Sequence, residues 1–335
     1  MRKSKFVVAI IGNGKLSKCL VLGLLRKNFL RPHQIIVIGR NLKKLSWFQE
    51  RGVRISTEMQ DVAVATHVFL MVSPDGSGDI LARLEVVNLQ PLYGYEIISL
   101  VSGLKSGHIS NVIPPNVHHR IITATCNTSI AYGCGIICAT EHSVLFENLG
   151  EVIIEKDFSM IVQSIVTVGS LSAFHCVALD MSYTQGASVN LTLWLQRLTV
   201  ILEKFNFSEK IKDDDEYFIV KKYLIIIYHV LRHKRFGFSH RRAIKRVRMT
   251  IKSVVESLRI MSITAISAPI EALKVTVVTK NGCTEKGVNS ILTKDDLLSL
   301  THMEKQFFLV LDKDLTFEEI ADTSVYKKKK KTSTV

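Results

Sequence analysis

The chain has 335 residues, 47% of them hydrophobic, and its 44 Lys and Arg against 30 Asp and Glu give a formal net charge of +14. That length suits two domains at about 150 residues each, and no run approaches the roughly 18 consecutive apolar residues of a membrane span. The charge is confined: Arg232 to Arg248 holds eight Lys or Arg and no acid, and Lys327 to Lys331 adds five, which together supply thirteen of the fourteen charges. A surface built to hold nucleic acid would spread its charge more widely, so neither nucleic acid nor membrane is expected as a partner.

The first predicted strand, Phe6 to Ile11, follows so closely on Met1-Arg2-Lys3-Ser4-Lys5 that no targeting segment is expected, and a cytoplasmic location follows. The strand runs into Gly12-Asn13-Gly14-Lys15-Leu16-Ser17 and then an apolar helix ending near Arg26. Strand, glycine turn and helix in that order open a dinucleotide-binding βαβ unit. Gly12 permits the tight turn, Gly14 lets the backbone approach a pyrophosphate, and the helix N-terminus receives its charge. Ser17 holds the third position, where Gly or Ala is usual.

The next strand, Ile35 to Ile38, ends at Gly39-Arg40-Asn41. NAD-preferring sites place an acid here for the ribose 2′-hydroxyl, whereas arginine suits a 2′-phosphate, so NADP (NADPH) is the expected cofactor. A short helix from Leu42 and strands at Val53–Ser56, His67–Val72, Glu96–Val101, Arg120–Ala124, Gly135–Ala139 and Glu151–Ile154 complete an alternating α/β pattern. It specifies a doubly wound, mostly parallel sheet, whose ligand-contacting loops lie past the carboxyl ends of the strands. Ser73-Pro74, Ser102-Gly103 and Asn127-Thr128 occupy such positions.

From Phe158 the spacing turns helical, across Val162–Val189, Leu191–Phe205 and much of Val247–Ile266. The expected organisation is a nucleotide-binding domain over 1–157, a helical domain over 158–320 and a disordered lysine-rich tail over 321–335. The six cysteines, Cys19, Cys126, Cys134, Cys138, Cys176 and Cys283, lack the spacing of a zinc site or disulfide framework, and no metal is expected.

Several segments, in order, resemble the pyrroline-5-carboxylate reductases, NADPH-dependent enzymes that make proline. They are the glycine turn, Ser73-Pro74, Val101-Ser102-Gly103, Thr125-Cys126-Asn127-Thr128-Ser129, Gly169-Ser170-Leu171-Ser172-Ala173-Phe174 and Thr279-Lys280-Asn281-Gly282-Cys283-Thr284. The resemblance implies a Rossmann domain followed by an all-helical dimerisation domain, a homodimer or larger homo-oligomer, and reduction of 1-pyrroline-5-carboxylate to L-proline. It implies that Gly12, Asn13, Gly14, Lys15 and Leu16 face the pyrophosphate, Arg40 and Asn41 the 2′-phosphate, and Ser73 and Pro74 the adenosine side. Ser102, Gly103 and Asn127 would lie near the nicotinamide. Thr284 would be the catalytic hydroxyl beside the imine, with Thr279, Gly282 and Ser170 shaping the substrate pocket.

The chain departs from the family pattern at four places. Ser73 stands for a lysine, Thr125-Cys126 for Met-Pro, Ser172 for a proline and Lys280-Asn281 for Pro-Gly. The interval from Gly169 to Gly282 also exceeds the family's, which marks a basic insertion around 206–248, read as a solvated surface elaboration. An alternative is therefore a catalytically impaired NADP-binding relative that works as a binding or interaction protein. The β-hydroxyacid dehydrogenases are disfavoured, because Gly186 holds the position of their lysine four residues before Asn190.

Overall fold

In the computed structural model, residues 6–87, 95–113, 119–186, 190–208, 211, 215, 217–234, 236–264 and 269–277 are described. Their apolar runs fall on eight strands: β1 (Val8–Ile11), β2 (Ile35–Ile38), β3 (Arg54–Ser56), β4 (His67–Leu70), β5 (Tyr95–Ser99), β6 (His119–Cys126), β7 (Gly135–Ala139) and β8 (Gly150–Ile154). They form one sheet in the order β3-β2-β1-β4-β5-β6-β7-β8. The pairs from β3 through β6 are parallel, and β7 turns antiparallel against β6. Every residue of β1, β2 and β4 is buried. This explains their unbroken Val, Ile, Phe and Leu runs, since a parallel sheet is covered on both faces.

The described residues divide into two compact units, the first taking residues up to Cys126 together with Ile137–Ile165, the second Asn127–Ile136 and residues from Val166 onward. The first is the doubly wound α/β unit. Helix α1 (Lys15–Leu25) buries Leu20, Val21 and Leu24, and α2 (Ser46–Gln49) buries Phe48. Helix α3 (Pro74–Glu85) starts with Pro74 in its first turn and Asp75 beside it, both suited to a helix N-terminus. Helices α4 (Ser106–Ser110) and α5 (Phe158–Ser164) complete the unit.

The second unit is helical: α6 (Leu171–Gly186), α7 (Leu191–Lys204), α8 (Phe218–Arg232), α9 (His240–Ile263) and α10 (Pro269–Val277). The reading of 206–248 as a solvated elaboration is corrected by α8. Val220, Tyr223, Ile227, Val230 and Leu231 on it are fully buried, so the helix supplies core that the charges flanking it conceal from a reading by composition. On α9, Val247, Ile251, Val254 and Leu258 form the inward stripe, while Arg241, Lys245, Arg248 and Lys252 are exposed on the outward one. The helical stretch Phe158–Thr184 is long and apolar enough by length and composition to cross a membrane, but 72% of its apolar window is buried, as in a core helix.

Candidate functional site

The sheet order reverses direction between β1 and β4, and the crevice beside such a switch point is where open α/β sheets bind ligands. Three backbone hydrogen bonds extend the ladder past the strand ends there: Gly12 N–H to Ile38 O at 2.9 Å, Gly39 N–H to Ser56 O at 3.0 Å and Met71 N–H to Ile11 O at 2.9 Å. They root a cleft of about 250 Å³ lined by Gly12, Asn13 and Gly14 on one side, Gly39 and Arg40 past β2, and Met71, Ser73, Gly76, Asp79 and Arg83 along the β4–α3 connection.

Gly12 has φ +124°, and a Cβ there would stand 2.3 Å from the carbonyl oxygen of Met71. Only glycine lets the β1 turn approach the end of β4 this closely. At Gly14 a Cβ would meet nothing within 4 Å, so the backbone beneath α1 opens onto free space. Gly14 is the N-cap of α1 without a side-chain cap, and the first turn holds no acid. The amino end of α1 thus keeps N–H groups and partial positive charge for an anion. Ser17, buried in that turn, has an Oγ with no hydrogen-bond partner among the described residues.

Of the residues read from sequence, Gly12, Asn13, Gly14, Arg40 and Ser73 line this one cleft. Lys15 and Leu16 open α1 beside it, and Pro74 begins α3 behind Ser73. Asn41 is exposed, its side-chain oxygen accepting from Lys43 N–H at 2.9 Å to cap the following turn. Ser102 and Gly103 follow β5, Gly103 with φ +75° and Ser102 with a buried hydroxyl that has no partner among the described residues. Cys19, on α1, is buried and its thiol is pushed up to about 12 by desolvation, which leaves it protonated and unreactive.

Asn127 and Ser170 belong to the second unit. The side chain of Asn127 is engaged inside that unit: Nδ2 donates to Ser172 Oγ at 3.1 Å and Ser253 Oγ at 3.0 Å, and Oδ1 accepts from Ile136 N–H at 3.0 Å. Ser172, which stands for the family's proline, adds a partner to that asparagine while donating to Val168 O at 2.8 Å. Ser170 is buried in the π-helical turn Ile165–Ser170 that leads into α6. Thr279, Gly282 and Thr284 lie outside the described residues, as do Lys280-Asn281 and the lysine tail.

Arg83 and Asp79 were not read from the sequence as site residues. A signal was present: Gly76, Asp79, Ile80 and Arg83 follow the i, i+3, i+4, i+7 spacing of one helix face, on a helix that starts at a strand-end loop.

Fold and cleft define a dinucleotide-binding Rossmann unit followed by helices. Residues 7–101 match the family described as NADP oxidoreductase, coenzyme F420-dependent. A curated relative, pyrroline-5-carboxylate reductase 2 of Dictyostelium discoideum, is 25% identical over 138 residues, 41% of this chain and 45% of the relative, so the match spans less than half of that protein. Among solved structures, the pyrroline-5-carboxylate reductase of Coxiella burnetii is 17% identical with a TM-score of 0.49, over 93% of this chain and 98% of that one. The Plasmodium falciparum pyrroline carboxylate reductase with NADP bound is 16% identical at a TM-score of 0.49, with the same coverage. The likeness to the NADP oxidoreductase family thus covers residues 7–101, and the likeness to the curated reductase covers 138 residues.

Proposed function

We propose that the chain is a cytoplasmic, homo-oligomeric, NADPH-dependent reductase of a small cyclic imine, 1-pyrroline-5-carboxylate, yielding L-proline. The observation that carries the reading is the cleft at the β1/β4 switch point, where Gly12 is pressed against Met71 O and Arg40, rather than an acid, follows β2. The residues present fit the cofactor: an uncapped helix end faces open space at Gly14, and the side chains of Arg40 and Arg83 line the same cleft. When bound, NADPH supplies a hydride for the imine carbon.

The chain's own part is binding, orientation and exclusion of water. The amino end of α1 holds the pyrophosphate with backbone N–H groups, Arg40 with Asn41 beside it takes the 2′-phosphate, and Ser73 with Pro74 borders the adenosine. The hydroxyl of Ser102 and the backbone at Gly103 border the nicotinamide. Asn127 serves by fixing the turn after β6 through its bonds to Ser172, Ser253 and Ile136. Thr284 donates a hydrogen bond at the ring nitrogen, Thr279 and Gly282 accommodate the ring carboxylate, and Ser170 borders the pocket.

The test is a fluorescence titration with NADPH and NADH, followed by cofactor oxidation on addition of 1-pyrroline-5-carboxylate. Turnover that Thr284→Ala lowers by at least tenfold supports the reading; no turnover across pH 6 to 9 sinks it. The serine at position 73, lining the cleft where the family carries lysine, favours a second reading, an NADP-binding protein that has lost the reaction. Tight NADPH binding without turnover of any cyclic imine would establish that one.

A further inference from the structure

Helix α3 sends a second guanidinium to the cofactor cleft. Arg83 is partly buried, lines the same cleft as Arg40, and donates from one terminal nitrogen to the carbonyl oxygen of Thr57 at 3.3 Å, 26 residues earlier. Thr57 follows directly on β3, the strand at the edge of the sheet beyond β2. Since Gly39 N–H donates to the carbonyl of Ser56 at 3.0 Å, the contact brings the Arg83 side chain to the strand ends from which Arg40 emerges. The Gly12–Gly14 turn beneath α1 lines the same cleft.

A guanidinium has five N–H donors in a fixed fork, and Thr57 takes one at most weakly. The remaining edge can serve an oxyanion. Among the described lining residues Asp79 is the one acid against two arginines, so that lining carries a net positive charge. A ribose 2′-hydroxyl requires no cation, whereas a 2′-phosphate carries up to two negative charges and is matched by two forks better than by one.

We propose that Arg83 is a specificity-determining residue for the dinucleotide, holding the 2′-phosphate jointly with Arg40. The proposal rests on the NADP reading of the cleft. It assigns discrimination to two elements, the β2 loop and α3, where the strand-end rule names one.

The experiment measures Kd for NADPH and for NADH by fluorescence on the full chain, with the wild type, Arg83→Met, Arg83→Lys and Arg40→Ala. Methionine keeps most of the apolar stem of Arg83 and removes the charge, and lysine keeps the charge without the fork. The expected result is NADPH binding weakened about tenfold in Arg83→Met, NADH binding within twofold of wild type, and Arg83→Lys in between. The probes 2′,5′-ADP and 5′-ADP should repeat the pattern, since they differ in the phosphate position alone.

An equal loss for both cofactors would mean that Arg83 stacks on the adenine, and would overturn the proposal. So would an unchanged ratio of the two Kd values in both Arg83 variants while the wild type binds NADPH. A wild type that binds no NADPH fails the NADP reading itself, and the proposal with it. A thermal melt of each variant is the fold control: the equal loss counts against the proposal where the variant melts like the wild type, and where Arg83→Met melts early the Arg83→Lys arm decides by the same ratio.

Discussion

Two asparagines stand just past strands of this chain, and their surroundings differ in kind. Asn13, after β1, lines the open cleft, its amide nitrogen lying 3.2 Å from where a Cβ of Gly39 would stand. Asn127, after β6, is buried, and its amide spends all its named bonds on Ser172, Ser253 and Ile136. The contrast extends to the regions around them. At the β1/β4 switch point polar groups face open space; in the helical unit polar side chains are used to fasten turns and helices together. An amide at a strand end can hold a ligand or hold the fold, and its partners tell which.

The sharpest way to break the comparison is to spoil each asparagine's setting. Gly12→Ala places a methyl 2.3 Å from Met71 O at φ +124°, and strain plus overpacking should cost about 4 kcal/mol. NADPH binding should be lost with it, read by fluorescence titration beside a thermal melt. Asn127→Ala leaves the Ile136 N–H unpaired in a buried position and should cost about 3 kcal/mol in urea unfolding. Below the melting temperature NADPH affinity should stay within about threefold of wild type. A severe loss of NADPH affinity with unchanged stability would reverse the assignment of roles.

The strands were legible because strands buried on both faces, whether parallel or antiparallel, are written as unbroken apolar runs. Gly135–Ala139 and Ile35–Ile38 fall where composition placed them, and Gly12, Arg40 and Ser73 could be located by counting from strand ends. Arg83 was hidden for the opposite reason: it reaches the cleft from the last turn of a helix, through a contact with Thr57 that no local pattern encodes. Helix α8 was hidden by its setting, because an apolar core such as Tyr223 to Leu231 between charged flanks has the composition of an elaborated loop. The partners of Asn127 lie 45 and 126 residues away, beyond any motif.

The helical unit also carries a pH dependence that the nucleotide unit has no counterpart for at the same depth. His175 is fully buried; Nε2 lies 2.8 Å from Thr250 Oγ1, whose own hydrogen is directed at the Arg246 and Val247 carbonyls, so Nε2 donates, and Nδ1 has no partner among the described residues. Tyr223 packs edge-on at 5.5 Å. Desolvation lowers the imidazole from 6.5 to about 3. Between those values the unfolded chain binds a proton that the folded chain does not, so stability rises with pH by about 1.4 kcal/mol per unit. At pH 5 the loss relative to pH 7 should be about 2 kcal/mol, and His175→Gln should flatten the slope over pH 4 to 6.5. A variant that keeps the wild-type slope would show that His175 is not the group responsible.

The smallest expected effect on stability lies at Arg40 and tests whether an exposed group lining the cleft acts on a ligand at all. Arg40 is exposed and follows β2; in the absence of ligand its charge is screened and its removal should barely change stability. Arg40→Ala should therefore leave the thermal midpoint within about 1 °C while weakening NADPH about tenfold and NADH less than twofold, a difference of about 1.4 kcal/mol. Raising ionic strength should narrow the gap between the wild type and the variant for NADPH, because the lost interaction is ionic. Asn127→Ala makes the reverse pair of results, stability lost and affinity kept. Should Arg40→Ala behave like Asn127→Ala instead, the cleft would be a structural seam of the sheet, and the two strand-end regions would differ in exposure without differing in purpose.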